Sequence, residues 1–110
     1  MGEDDKTVAQ LLQSEREVLR SKCSIGERLE LVRIILGKSQ NAFATEAGIA
    51  GNTYSQYKTG TNAPDHEEAH KLCDRWGLTL DWIYRGDTRG LSPDLSAAIE
   101  AMRRARGKQQ

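Results

Sequence analysis

Apolar residues in this chain recur at helical spacing and almost nowhere at strand spacing, and a glycine cuts five of the helical runs short. Ile25, Leu29, Val32 and Leu36 fall at i, i+4, i+7 and i+11 before Gly37, and Ser24 with Glu27 is placed to form a capping box at the start of that run. Ser39 to Ala47 predicts a helix of about two turns with Ala42, Phe43 and Ala47 aligned, ending at Gly48. Asn52 to Thr59 predicts another short helix, closed by Gly60, with Tyr54 and Tyr57 on one side. Asp65 and Glu68 open a longer one whose stripe of Ala69, Leu72, Cys73 and Trp76 stops at Gly77. Thr79 caps a final short helix through Trp82 and Ile83 to Gly86; residues 87–92 read as a linker, and Pro93 to Arg106 as a helix with Leu95, Ile99 and Met102 aligned. Ahead of all these, Lys6 to Lys22 carries Val8, Leu11, Leu12, Val18 and Leu19 on one narrow face. The fold class expected is all-α.

At 110 residues, 37% of them hydrophobic and 29% charged, the chain can build one small core but not a deep substrate cavity. No nucleophile and base are arranged at a recognisable turn and no glycine-rich loop is placed to cradle phosphate, so an enzyme is not expected. Sixteen basic residues balance sixteen acidic ones, which removes any argument from net charge to nucleic acid or an anionic membrane. The balance is uneven along the chain: −1 over residues 1–24, +1 over 25–62, −2 over 63–90 and +2 over 91–110. Cys23 and Cys73 have no zinc-ligand spacing and read as reduced thiols; with an acidic start and no long apolar run, a cytoplasmic protein with no membrane contact is expected. His66, His70 and Cys73 share a helical face, but Cys73 also lies on the apolar stripe, so no metal and no cofactor are expected.

The most informative stretch is Ala47-Gly48-Ile49-Ala50-Gly51, between two short helices. A tight turn between steeply angled helices needs glycine where the backbone turns left-handed, and Gly48 is so placed. Ile49 can plug the angle, and the small Ala44 and Ala47 let the backbones approach. This is a helix-turn-helix arrangement, whose second helix enters the DNA major groove. With Leu29, Ser39-Gln40, Phe43-Ala44, Gly48-Ile49, Thr53-Tyr54-Ser55, Tyr57, Gly60, Pro64 and the run Trp76 to Gly86, the sequence resembles the phage-repressor and Cro-like helix-turn-helix family, also called XRE, over roughly residues 25 to 86. The resemblance implies a five-helix lambda-repressor-like domain at 25–90, flanked by an N-terminal helical arm at 1–24 and a C-terminal helix and basic tail at 91–110.

It also implies sequence-specific binding to a double-stranded DNA operator by a small dimeric repressor, with base readout at Gly51, Asn52, Thr53, Ser55 and Gln56. Phosphate contacts would come from Arg33, Lys38, Gln40, Asn41, Lys58, Thr59, Thr61 and Asn62. The side chains suit those roles: Asn52 and Gln56 each carry a donor and an acceptor in one plane, a match for adenine, and Thr53 offers a hydroxyl or a methyl contact. Two departures stand out, since Gly51 brings no side chain where many members have one, and Thr61-Asn62 replace a common Lys or Arg. The apolar face of Val8, Leu11, Leu12, Val18 and Leu19 is expected to meet a partner, first a second copy of the chain. Arg103, Arg104, Arg106 and Lys108 offer a further cationic segment. Two other readings keep the fold: a protein-binding antiactivator that sequesters a regulator, and an antitoxin that also covers a toxin.

Overall fold

Residues 21–108 are described by a computed structural model, and they form six helices with no strand among them. These are α1 (Lys22–Leu36), α2 (Gln40–Glu46), α3 (Gly51–Thr59), α4 (His66–Trp76), α5 (Leu80–Arg85) and α6 (Pro93–Lys108). Residues 1–20, with the apolar face of Val8, Leu11, Leu12, Val18 and Leu19, lie outside the described part.

Side-chain caps set most of the helix starts. The Ser39 hydroxyl accepts from the Ala42 amide at 3.1 Å, the Asp65 carboxylate from Glu68 at 2.9 Å and the Thr79 hydroxyl from Trp82 at 3.0 Å, each satisfying an amide that the first turn leaves without a helical partner. The start of α1 differs from the sequence expectation. Ser21, in extended backbone, is the cap, and its hydroxyl accepts from the Ser24 amide at 3.1 Å. The helix therefore begins a turn early and Ser24 lies within it, so the Ser24–Glu27 capping box does not form. The expected stripe is also shifted at its end. Ile25, Leu29 and Val32 are buried together with Leu31, but Leu36 is 39% exposed and Ile34 54%, because Ile35 takes the core-facing place in the last turn of α1 and its neighbours face outward.

One core runs through all six helices. Phe43 sits near its centre, edge-on to Tyr54 at 5.4 Å between ring centroids and stacked on Trp76 at 5.0 Å. Leu29, Leu72, Trp82 and Ile83 are fully buried around it, and Leu91, Leu95 and Ile99 carry the same core into α6. Burying one such aliphatic or aromatic side chain stabilises by about 1.5–3 kcal/mol. The buried Arg28 guanidinium donates twice to the Ile83 carbonyl, at 3.0 and 2.9 Å, and so ties α1 to α5.

Sequence periodicity gave no sign of how α1 meets α3. Gly26 is packed against the backbone of α3, and a Cβ there would overlap the Tyr57 carbonyl. Only glycine allows the two helices this approach.

Candidate nucleic-acid interface

The connection between α2 and α3 is built by its residue types. Gly48 adopts φ 82°, which L side chains rarely take. The turn it makes lets the Ile49 amide return to the Ala44 carbonyl at 2.9 Å and sends the Ile49 side chain into the core, where it is 3% exposed. Ala44 and Ala47 are buried beneath it.

On α3, Tyr54 and Tyr57 lie one turn apart and are buried. Each phenol is tied to a neighbouring helix: Tyr54 donates to Glu30 of α1 at 2.7 Å, and Tyr57 to Glu68 of α4 at 2.9 Å. Burial and the acceptor carboxylates raise both phenol pKa values above the ordinary 10.0, so both hydroxyls stay protonated donors. With two rings fixing the inner face, the outer face has one orientation. Asn52, Ser55, Gln56 and Thr59, at i, i+3, i+4 and i+7, form an exposed polar strip along it, with Thr53 half-buried at its edge.

The N-terminal ends of α2 and α3 lie side by side. The Asn41 side-chain oxygen would stand 3.2 Å from a Cβ built on Gly51, which gives the bare Gly51 position a local reason. Gln40, the first residue of α2, is half-buried, whereas Asn41 and Gly51 are exposed. At the other end of α3, Gly60 at φ 80° turns the chain back, and the Thr61 and Asn62 amides donate to the Gln56 carbonyl at 2.9 and 3.2 Å. The Thr59 and Thr61 hydroxyls hydrogen-bond at 2.9 Å, and the Asn62 side-chain amide donates to Gln56 Oε1.

The cationic residues are more engaged than the sequence suggested. Arg33 grips Glu30 with two hydrogen bonds, at 2.9 and 2.8 Å, and donates to the Lys38 carbonyl at 2.7 Å. Burial pushes the Glu30 carboxyl up, but hydrogen bonds from Arg33 and Tyr54 outweigh it and hold the group below its ordinary range. Lys38 reaches Glu46 at 3.4 Å and lies 5.6 Å from the Trp76 ring centroid. Glu46 also pairs with Arg75, which covers the same ring at 4.6 Å. Lys58 is an exposed cation on α3 itself. Arg103 on α6 lies over Trp82 at 5.2 Å and pairs with Glu100 at 3.4 Å.

His66 and His70 are exposed with ring centroids 4.5 Å apart, while Cys73 is half-buried and burial raises its thiol pKa. Among the described residues no three His, Cys, Asp or Glu side chains converge as a metal site, and no helix is long and apolar enough to cross a membrane.

The structure thus brings Asn41, Gly51 and Asn52 to one end of an exposed surface and Gln56, Thr59, Thr61 and Asn62 to the other, while Gln40 is half-buried at the start of α2 and Lys58 lies on the flank of α3 that faces α1, beside Glu30, Leu31 and Ile34. The sequence reading named Tyr54 as a packed residue but missed Glu30, its partner, and so missed the pair that links Arg33 to the inner face of α3. Both had polar signals, but only the three-dimensional contact between α1 and α3 joins them.

Comparison with known proteins agrees with this geometry. A model of the helix-turn-helix domain family matches residues 26–88, which span α1 through α5 apart from the first turn of α1. The SPbeta prophage-derived uncharacterized HTH-type transcriptional regulator YonR of Bacillus subtilis (strain 168) is 34% identical over 61 residues, 56% of this chain and 56% of that protein. The chain thus spans little more than half the length of the curated relative it matches. No solved structure matches. The turn at Gly48, the exposed strip on the helix that follows and these matches together place the chain in the helix-turn-helix domain family of XRE/Cro type, a family of DNA-binding domains.

Proposed function

We propose that the protein is a sequence-specific regulator of transcription, a small dimeric repressor that reads an operator in the major groove with α3. The observation that carries this reading is the strip of Asn52, Ser55, Gln56 and Thr59, presented outward by a helix whose opposite face is locked by Tyr54 and Tyr57. Asn52, Thr53, Ser55 and Gln56 read base edges, with Gly51 allowing close approach; Gln40, Asn41, Lys58, Thr59, Thr61 and Asn62 position the phosphate backbone. Arg33 and Lys38 contribute from within their ion pairs. Residues 25–90 form the DNA-binding unit in this reading, with 1–24 as a dimerisation arm. The relative is itself described as an HTH-type transcriptional regulator, which supports the assignment.

The exposed Ile34 and Leu36 favour a protein contact as well, and a second copy of the chain meets that need alongside the arm. An antiactivator would use the same apolar surface without requiring the strip on α3, whereas an antitoxin would keep DNA binding through that strip and cover a toxin as well.

Selection of bound sequences from random duplex DNA, followed by competition against nonspecific DNA, tests the proposal. The expected result is enrichment of two related half-sites. Asn52→Ala and Gln56→Ala should each reduce discrimination by about 1–3 kcal/mol while leaving thermal stability nearly unchanged. If both variants bind the selected site with parental affinity and preference, α3 is not the reading element.

A further inference from the structure

A glutamine amide reads a base ambiguously unless something fixes which of its two ends faces the groove. Rotation by half a turn exchanges the acceptor Oε1 for the donor Nε2, and the two ends differ little in shape. On α3, Gln56 has such a fixing partner. Gly60 reverses the chain at φ 80°, and two successive amides, Thr61 at 2.9 Å and Asn62 at 3.2 Å, close onto the Gln56 backbone carbonyl. The Thr59 hydroxyl reaches the same carbonyl at 3.3 Å. The backbone of Asn62 is thereby held beside residue 56, and its side-chain N–H donates to Gln56 Oε1. Both side chains are exposed, so the arrangement lies on the surface that would meet DNA rather than in the core.

We propose that Asn62 is a specificity-determining positioning residue: it holds Gln56 Oε1 and so turns the Gln56 Nε2 donors outward, toward a base edge that accepts. This rests on the DNA-reading role of α3 proposed above. In the major groove the acceptors are guanine O6 and N7, adenine N7 and thymine O4. The arrangement adds to a phosphate contact the control of a base preference by a residue that touches no base.

The test compares the full chain with Asn62→Ala and Asn62→Asp, by selection from random duplex DNA and by melting temperature without DNA. Asn62→Ala frees the Gln56 amide, and discrimination at the position read by Gln56 should fall about fivefold or more while other positions keep theirs. Asn62→Asp offers only acceptors, so Gln56 must donate Nε2 to it and present Oε1; preference at that one position should shift toward adenine N6 or cytosine N4. Neither change should move the melting temperature much, since both groups are solvent-exposed. An Asn62→Ala profile identical to the parent at every position overturns the proposal, as does a uniform loss across all sequences, which would assign Asn62 to phosphate alone. If the parent chain itself enriches no sequence, the DNA-reading role of α3 fails first and this proposal falls with it.

Discussion

Gly26 holds the nearest approach between α1 and α3, and the contact is backbone to backbone. A Cβ at this position would overlap the Tyr57 carbonyl and stand 3.3 Å from that of Lys58, and neither carbonyl can move without displacing α3. Overpacking of this kind costs about 1–3 kcal/mol where side chains can yield, and here backbone must yield instead. Gly26→Ala should therefore lose about 3 kcal/mol in denaturant unfolding. Gly37→Ala separates this effect from backbone strain. Gly37 has φ 69° with nothing within 4 Å of a new Cβ, so its cost is the left-handed conformation alone, about 1–2 kcal/mol. Equal losses in the two variants would show that α1 and α3 do not meet as closely as described. The same contact explains why a change far from the polar strip should weaken it: Tyr57, directly opposite Gly26, is one of the two rings that orient α3.

At the scale of the element, α3 differs from its neighbours in having no side-chain cap. Ala50 has the extended backbone of a cap residue, φ −64° and ψ 143°, but offers no oxygen to the first turn. Ala50→Asp should supply one. A capping carboxylate is worth about 1 kcal/mol, and for a domain of this size that raises the melting temperature by about 4–8 °C. Ala50 is exposed beside Gly51, so the same carboxylate would face phosphate and should weaken DNA binding while it stabilises the fold. A variant that melts higher and binds DNA as well as the parent would remove the α3 N-terminus from the interface. This element was the most legible in the sequence, because Gly48, Ile49 and the two alanines carry local constraints that a pattern can hold. Asp65 and Thr79 were legible as caps for the same reason. Ser24 misled because Ser21 satisfies the same geometry a turn earlier, and spacing alone does not choose between two serines. Leu36 misled because periodicity does not choose between it and Ile35 for the core-facing place. Gly26, Glu30 and the Asn62–Gln56 contact were out of reach, since each depends on how α1 or the turn after α3 lies against another element.

Across the whole molecule the charges balance, yet the proposed function asks a neutral protein to hold a polyanion. The structure makes the demand sharper. Of the three cations expected on the DNA side, Arg33 is committed to Glu30 and Lys38 to Glu46, so each brings an acid with it. Lys58 is exposed on α3 and forms no ion pair within 4 Å among the described residues, although its charge is felt at Glu30. Each cation that neutralises a phosphate releases counterion and adds about −0.9 to the slope of log affinity against log salt. Three fully effective cations would give about −2.7 per protomer; if the two paired ones are silenced by their acids, Lys58 alone gives about −0.9. The measured slope, divided by the number of protomers bound, should lie between these limits, shallow for a DNA-binding protein. Lys58→Ala should lower its magnitude by about 0.9 and weaken binding evenly across sequences, whereas Gln56→Ala should change sequence preference and leave the slope alone. The two variants thus separate what holds the DNA from what reads it. A slope much steeper than about −2.7 per protomer would mean that cations beyond these three reach the phosphates, and a slope of zero would leave the exposed apolar turn of α1, not the strip on α3, as the surface that finds a partner.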